Sequence, residues 1–344
     1  MDRQIGPVRR RFAWAIRRGS GYLLAIIGLF WVFHDVQLDR FLASSRAMNW
    51  WWLTPAVLCD IVSYLCQGIR WTYLLRPVGA LSPLRATQAI YVGLFTNELV
   101  PMRLGELVRA YLVARSMGMP LASMIPSILV ERLLDGIWLV FGIAGTAILI
   151  PIPANMIHGV QVFATAIVAG ALLFGLLLLF CGPLRPAGIA VETVPRLGRT
   201  ARIMAFLRRI AVETSRIGSL RILLLSGAFS VGLLIFQALA FWLVMISYGL
   251  SLPLGAGFAV FLLVHVGTAI PNAPANIGAF QFFTVLGLTL FGVEKSTAAA
   301  FSVAVFLILT LPLWVLGSAA LARSGASLAS LRAGIRDGAS HNAT

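Results

Sequence analysis

The sequence predicts an all-α polytopic membrane protein. Of its 344 residues, 59% are hydrophobic and only 11% are charged, and the mean hydropathy is +0.91. Apolar runs exceed the roughly 18 residues that indicate a transmembrane helix, and they lack the alternation of a membrane β-barrel. Two short polar segments with proline and glycine interrupt this background. We therefore expect a single integral membrane domain over residues 1–344, with about six full transmembrane helices and two re-entrant helical hairpins.

Basic residues are concentrated in the expected loops, and the formal net charge is +15. The positive-inside rule places such loops in the cytoplasm, where arginines can also meet anionic lipids of the inner leaflet. The expected cytoplasmic segments are the basic N-terminus 1–18, the basic loop 182–221 and the tail 323–344. We therefore expect a multi-pass protein of the bacterial cell inner membrane with both termini cytoplasmic, and no nucleic-acid partner.

The first two apolar segments both predict helices. The run Tyr22–Phe33 follows the basic N-terminus and is interpreted as a retained signal anchor. The second span is Trp50–Leu75, with three tryptophans at its outer end. Arg70 lies near the inner end of this span, where we expect its side chain to extend to the headgroups. Asp60 lies deeper and needs a polar partner.

The first repeat half, residues 84–150, contains the first interruption. The segment Leu84–Leu99 is shorter than the about 20 residues that a membrane-spanning helix needs. Pro101 ends this helix because proline lacks an N–H and clashes with the preceding turn. A second short helix is predicted over Leu104–Ser116, followed by a long helix over Pro120–Ile150. We interpret the two short helices as a re-entrant hairpin that opens from the cytoplasm.

The second repeat half, residues 254–321, follows the same plan. After apolar spans at 157–180 and Ile222–Tyr248, two short helices are predicted over Leu254–Ile270 and Ile277–Phe291. A last span runs over Ser296–Leu321. If the basic loops are cytoplasmic, this second hairpin opens from the outside.

A shared motif relates the two interruptions. Pro-x-x-x-Gly occurs at Pro101–Gly105 and at Pro274–Gly278, and glycines at Gly118 and Gly292 each precede a long span. Weak internal similarity with opposite topology is typical of inverted-repeat transporters, whose sites lie between interrupted helices near the bilayer midplane. The alternative is a chance match of small and apolar residues.

The interruptions also predict the binding site. A helix that begins inside a membrane exposes backbone N–H groups, and such a terminus binds phosphate or carboxylate. Arginines there would hold a lipid phosphate, and neutral amides would add hydrogen bonds. The predicted headgroup-binding residues are Asn97, Arg103, Arg109, Asn272, Asn276 and Gln281.

The other membrane charges admit two interpretations, structural pairing or proton coupling. Arg132 can pair with Asp135, because residues three apart are neighbours on a helix. Alternatively, Arg103 and Arg109 only brace the hairpins by pairing with the acids. The residues in this class are Arg70, Glu98, Glu106, Glu131, Arg132 and Asp135. No catalytic set, cofactor motif or metal-ligand grouping stands out, so we do not expect an enzyme.

These residues together resemble a known family. The pattern Asn97-x-x-x-Pro101-x-Arg103-x-Gly105-Glu106-x-x-Arg109, followed by Glu131-Arg132-x-x-Asp135 and Pro274-x-x-x-Gly278, is similar to the lysylphosphatidylglycerol synthetase transmembrane family. That family is the flippase module of the bacterial multiple peptide resistance factor. The resemblance covers about residues 15–322 and includes Arg70-Trp71. The chain has no aminoacyl-transfer domain, so we expect a stand-alone member.

The second interruption differs from the family pattern, which commonly has Pro-Gly-Gly-x-Gly-x-x-Glu. This chain has alanine, asparagine and Gln281 at the corresponding glycine and acid positions. The resemblance implies translocation of a polar-headed, phosphate-bearing lipid between leaflets, and the departure concerns which headgroup is carried. The alternative is a non-transporting partner that binds lipid and presents it to a synthetase or glycosyltransferase. The sequence leaves a lipid-modifying enzyme partner and the oligomeric state open.

Overall fold

The computed structural model describes residues 22–23, 25–37, 39, 48–100, 104–149, 165, 169, 220–269 and 273–325. Every regular element within these ranges is a helix. Three of the helices are long and apolar enough to cross a membrane, Trp50–Leu75, Arg221–Ser247 and Lys295–Arg323. The prediction of a helical multi-pass membrane protein is therefore confirmed, whereas the total number of spans and the re-entrant hairpins stay predictions.

Eight α-helices have complete bounds in the described part of the chain. They are α1 (Leu53–Leu75), α2 (Pro83–Leu99), α3 (Gly105–Ser116), α4 (Ile125–Leu149), α5 (Leu220–Ser247), α6 (Leu254–Ala269), α7 (Ala279–Leu290) and α8 (Lys295–Arg323). Residues 25–33 are also helical. Short 3-10 helices precede α1, α4 and α7, at Trp50–Trp52, Leu121–Met124 and Pro274–Asn276.

The same order of helix lengths occurs twice. Helices α1 to α4 have 23, 17, 12 and 25 residues, and helices α5 to α8 have 28, 16, 12 and 29. The second and third members of each set are too short to cross a bilayer that needs about 20 residues. In the second set, α7 packs against both α6 and α8. The two halves therefore repeat one arrangement of long and short helices.

Both 12-residue helices end in the same local structure. Gly118 has φ +65° and Gly292 has φ +78°, in the left-handed region that favours glycine. The following N–H groups reach back into the helix, Met119 to the Ala114 carbonyl at 2.9 Å and Val293 to the Leu288 carbonyl at 3.1 Å. This pattern is the Schellman motif, which satisfies the last carbonyls of a helix. The two glycines paired by the sequence comparison thus have the same structural role.

Most predicted bounds agree with the structure within two residues. One difference lies at the predicted helix Pro120–Ile150, which begins as a 3-10 turn and becomes α-helical at Ile125. Pro126 is tolerated in the first turn of α4 because its missing N–H would have no helical partner there. The segments 1–18, 157–164 and 182–219, the residues Pro101, Arg103 and Asn272, and the tail from 326 lie outside the described residues.

The chain divides into two compact units. The aromatic unit comprises Met1–Ser63, Tyr91–Val108 and Ile235–Leu331, and the charged unit comprises Tyr64–Ile90, Arg109–Leu234 and Arg332–Thr344. In the aromatic unit, the ring of Phe301 packs edge-on against those of Phe241 and Tyr248, each with a centroid separation of 5.6 Å. Such edge-to-face pairs stabilise a core beyond the burial of their area.

The N-terminal helical segment packs on the second interruption, within the aromatic unit. A Cβ placed on Gly278 would lie 2.5 Å from the carbonyl oxygen of Ala25, and Gly278 has φ +89°. Gly28, three residues after Ala25 in the same helical segment, approaches the Gly278 carbonyl, with a Cβ-to-oxygen separation of 3.0 Å. The Trp31 ring packs edge-on against Phe282 at 4.9 Å. Glycine at position 278 is therefore required by both the backbone conformation and this contact.

Candidate functional site

Five charged side chains meet inside the charged unit. They come from three helices, with one residue each on α1 and α3 and three on α4. The members of this charge cluster are Arg70, Arg109, Glu131, Arg132 and Asp135. Their helices place apolar residues around them, so the cluster lies in a region where an unpaired charge would be costly.

Arg70 is at the centre of the charge cluster and is completely buried. Its Nη2 atom lies 2.9 Å from Glu131 Oε1. Its Nη1 atom pairs with Asp135 and donates a hydrogen bond of 2.8 Å to the Ser230 hydroxyl. The expectation that Arg70 extends to the lipid headgroups is therefore wrong, because two carboxylates and a hydroxyl hold its guanidinium inside the protein.

Glu131 is equally buried, and four polar side chains contact its carboxylate. Gln67 Nε2 donates to Glu131 Oε1 at 3.0 Å, and Arg132 Nη2 donates to the same oxygen at 3.1 Å. Arg109 Nη2 lies 3.1 Å from the other oxygen. Several close donors are what a fully desolvated carboxylate requires, since a buried ion pair is tolerated only when its remaining polar atoms are also satisfied.

The predicted pair on α4 is confirmed. Arg132 Nη2 lies 3.2 Å from Asp135 Oδ2, at the three-residue spacing. The side chain of Arg132 is 44% exposed and that of Asp135 is 24% exposed. The charge cluster therefore extends from the buried centre at Arg70 to an accessible edge at Arg132.

Arg109 is buried but incompletely satisfied. Its guanidinium lies over the Trp71 ring, 4.7 Å from the ring centroid, and Trp71 Nε1 donates to the Ser127 hydroxyl at 3.1 Å. Although Nη2 is at ion-pair distance from Glu131, its N–H is not directed at the carboxylate. Neither Nη1 nor Nη2 has a hydrogen-bond partner among the residues described. Buried donors in this state are uncommon in folded proteins.

Other buried polar atoms of the charged unit share this property. Within the described ranges, Arg70 Nε, Trp138 Nε1 and the Ser226 hydroxyl also have no hydrogen-bond partner, and Glu131 Oε2 accepts no hydrogen bond although Arg109 Nη2 lies 3.1 Å away. The charge cluster contains three guanidinium groups and two carboxylates, so it has one net positive charge. Surplus donors with a net positive charge suit a group that has several acceptor oxygens, such as a phosphate.

The polar residues of the two interruptions satisfy backbone groups. Asn97 Oδ1 accepts a hydrogen bond of 2.7 Å from the N–H of Gly105, at the start of α3. Gln281 Oε1 accepts one of 2.8 Å from the N–H of Gly278, just before α7. Both side chains therefore stabilise the start of a 12-residue helix, as a capping residue does. Asn276 has φ +53° in the 3-10 turn before α7, and this turn begins at the predicted helix break Pro274.

The remaining predicted residues that the structure describes are not members of the charge cluster. Asn97, Glu98, Glu106, Asn276 and Gln281 belong to the aromatic unit, whereas Arg109 belongs to the charged unit. Glu98 accepts a 3.4 Å hydrogen bond from Trp314 Nε1, and Glu106 lies in the first turn of α3, where a negative charge is favourable. Of the bracing pairs proposed from the sequence, the structure contains Arg109 with Glu131.

Sequence reasoning missed four neutral contributors to the charge cluster, namely Gln67, Trp71, Ser127 and Ser230. Helix spacing could have identified Gln67, which lies three residues before Arg70 and therefore on the same face of α1. Trp71 lies four residues after Gln67, so the same spacing places it beside Gln67. No signal identified Ser230, which is 160 residues from Arg70. Within the described residues, no three His, Cys, Asp or Glu side chains form a group that could hold a metal ion.

Comparison with known proteins identifies relatives that are membrane proteins. Residues 20–317 match the family described as the lysylphosphatidylglycerol synthase TM region. A UPF0104 membrane protein from Methanocaldococcus jannaschii is 22% identical over 284 residues, which cover 77% of this chain and 82% of that protein.

A second relative is the glycosyltransferase AglD of Haloferax volcanii. It is 26% identical over 164 residues, which cover 47% of this chain and 26% of the archaeal enzyme. The match thus spans about a quarter of that relative's length. No solved structure matches the chain. Because the family match covers most of the sequence, the chain belongs to the lysylphosphatidylglycerol synthase transmembrane-region family.

Proposed function

We propose that the protein translocates a phosphate-bearing, polar-headed lipid between the leaflets of the bacterial inner membrane. The observation that carries this proposal is the state of Arg109. Its terminal nitrogens are buried and donate no hydrogen bond to any described residue, in a charge cluster with a net positive charge. A phosphate group would provide the missing acceptors, because a guanidinium can donate two parallel hydrogen bonds to two of its oxygens.

The repeated helix order supports transport rather than static binding. Two sets of short helices, α2 with α3 and α6 with α7, are the element that inverted-repeat transporters place around a midplane site. We infer that the two sets enter from opposite faces as re-entrant hairpins, with both termini cytoplasmic. Arg132, which is partly exposed, is at the accessible edge of the charge cluster and would meet the headgroup first.

The test uses the full chain reconstituted into vesicles of phosphatidylglycerol and phosphatidylethanolamine with a headgroup-labelled phosphatidylethanolamine. An impermeant reductant destroys only the label in the outer leaflet, so additional loss reports movement from the inner leaflet. We expect faster loss with the protein than in empty vesicles. Equal rates would overturn translocation.

The matched variants lie on one helix. Arg109→Gln removes the buried guanidinium, and Arg115→Gln removes an exposed one from the same helix α3. We expect Arg109→Gln to slow flipping while the melting temperature shows a folded protein, and Arg115→Gln to flip as the unchanged protein does. If both variants flip at the unchanged rate, Arg109 has no role in transport.

The second candidate is a non-transporting lipid-binding protein that presents lipid to a modifying enzyme. The similarity to part of a protein named as a glycosyltransferase favours it. In this case the purified chain would bind the labelled phospholipid in mild detergent, with weaker binding by Arg109→Gln, yet the vesicles would show no movement between leaflets.

A further inference from the structure

Another buried ionisable residue lies outside the charge cluster. Asp60 is on α1, which is long and apolar enough to cross a membrane, and the residue is only 5% exposed. In contrast with Glu131, it forms no ion pair with any Arg, Lys or His among the described residues. Its backbone carbonyl accepts a hydrogen bond from the Ser63 hydroxyl, but this bond does not involve the carboxyl group. The sequence predicted a polar partner for Asp60, and no basic residue in the described part of the chain has this role.

The titratable groups that face Asp60 are also few. On its own helix the neighbour is Cys59, and from α2 it is Tyr91; both interact electrostatically with Asp60. Helix α5 joins this end of α1 through the Ser247 hydroxyl, which donates to the Asn49 carbonyl at 2.9 Å. Helix α8 contacts α2 where Gly317 meets Phe95. Neither α5 after Arg221 nor α8 between its terminal basic residues has a titratable side chain.

This environment determines the protonation state of Asp60. An isolated ionised carboxylate in apolar surroundings is so unfavourable that the group takes up a proton instead. Among the residues that the structure describes, no Arg, Lys or His pairs with Asp60 to compensate the charge. Burial in this conformation therefore favours the protonated side chain, whereas Glu131 can stay ionised because three arginines surround it.

We infer that Asp60 is a proton-binding site that couples lipid translocation to the proton gradient. The inference deepens the proposed translocation and rests on it. In the conformation described, the residue is almost fully buried and the carboxyl group holds its proton. When α1 exposes Asp60 to water, the O–H bond breaks and the proton passes to water on that face. The carboxylate takes a proton from water on the other face before it is buried again. No electrons are transferred, and water is the only co-reactant.

A structural role alone would not require an acid. An uncharged amide of the same shape could occupy the site without the cost of burying an ionisable group, so Asn would be at least as stable there. Ionisable residues in membrane helices commonly serve proton relays or substrate pathways. Asp60→Asn imitates the neutral form and cannot release a proton, and Asp60→Glu keeps an acid at the site.

The first experiment measures flipping of the headgroup-labelled phosphatidylethanolamine in proteoliposomes with and without an imposed pH difference. We expect the gradient to accelerate flipping by the unchanged protein, by Asp60→Glu and by the control Asp35→Asn, whose carboxylate is exposed. Asp60→Asn should keep the rate seen without a gradient and lose the acceleration. The inference is overturned if Asp60→Asn is still accelerated or if the unchanged protein flips lipid without responding to the gradient.

The second experiment needs no transport and separates this inference from the proposed function. A folded state that holds an extra proton loses stability as the pH rises, because the unfolded chain releases that proton. Between about pH 5 and about pH 8, the melting temperature in detergent should therefore fall less for Asp60→Asn than for the unchanged protein. Equal pH dependence would overturn proton binding at Asp60. A lower slope without any lipid movement would keep the proton site but overturn coupled translocation.

Discussion

Arg70 and Glu131 form a 2.9 Å ion pair in which both side chains are completely buried. The pair joins α1 to α4 across 61 residues of sequence. Burial removes water from both charges, and their attraction offsets this cost only because further groups supply additional hydrogen bonds. Asp135 and Ser230 do so for Arg70, and Gln67 and Arg132 do so for Glu131. Removal of a single member should therefore have a larger effect than its own contacts indicate.

Glu131→Gln should lower stability strongly, because it leaves two buried guanidinium groups with one carboxylate. Loss of one partner from a buried pair costs about 3–5 kcal/mol. The apparent melting temperature in mild detergent measures the effect. Glu294→Gln is the control, since Glu294 is exposed before α8 and its side chain caps no helix. Equal melting temperatures for the two variants would contradict the central position assigned to Glu131.

Arg70→Lys should also be destabilising although it keeps the positive charge. The two terminal nitrogens of Arg70 contact Glu131 and Asp135 at the same time, and a single ammonium cannot reproduce this fork. We expect a loss on the order of 3 kcal/mol. Arg132→Lys, at a partly exposed position, should cost less than about 1 kcal/mol. A melting temperature for Arg70→Lys as high as that for Arg132→Lys would show that charge alone is sufficient.

Asp135→Ala tests whether the pair on α4 is independent. Asp135 contacts Arg70 as well as Arg132, so removal of Arg132 in addition does not restore the carboxylate that Arg70 has lost. We therefore expect the double variant Arg132→Ala with Asp135→Ala to melt no higher than Asp135→Ala alone. Recovery of stability in the double variant would instead indicate an isolated pair.

Gly278→Ala should disturb the second interruption. A methyl group there would lie 2.5 Å from backbone atoms of Ala25, and the backbone has φ +89°. Gly292→Ala is the matched control, because it has φ +78° but open space around it. The control should lose only the about 1 kcal/mol of left-handed strain. Amide hydrogen exchange over residues 25–33 should rise in Gly278→Ala alone; unchanged exchange would show that the segment does not depend on this contact.

Asn97→Ala should destabilise the start of α3 by about 1 kcal/mol, because it removes the acceptor for the Gly105 N–H. Asn97→Asp keeps an oxygen at this place and should melt close to the unchanged protein. Hydrogen exchange at Gly105 provides the local measurement. If the alanine variant leaves exchange at Gly105 unchanged, the hydrogen bond does not hold the interruption.

Local patterns in the sequence determined the helices. The apolar runs, the break after Leu99 and the glycines at 118 and 292 predicted element bounds within a few residues. These features depend on backbone conformation and on burial of a helix in lipid, both of which act between near neighbours. The ion pair between Arg132 and Asp135 was predictable for the same reason, since helix geometry alone brings residues three apart together.

Only the tertiary structure decided which distant polar groups meet. Arg70 was expected at the lipid headgroups, yet packing of α1 against α4 buries it between Glu131 and Asp135. Asp60, on the same helix, forms no ion pair with a basic residue in the described part of the chain. The sequence does not distinguish these two charges, because each lies in an apolar run. Their difference arises from which helix faces pack together, and that choice depends on contacts between residues far apart in the chain, such as Arg70 with Ser230.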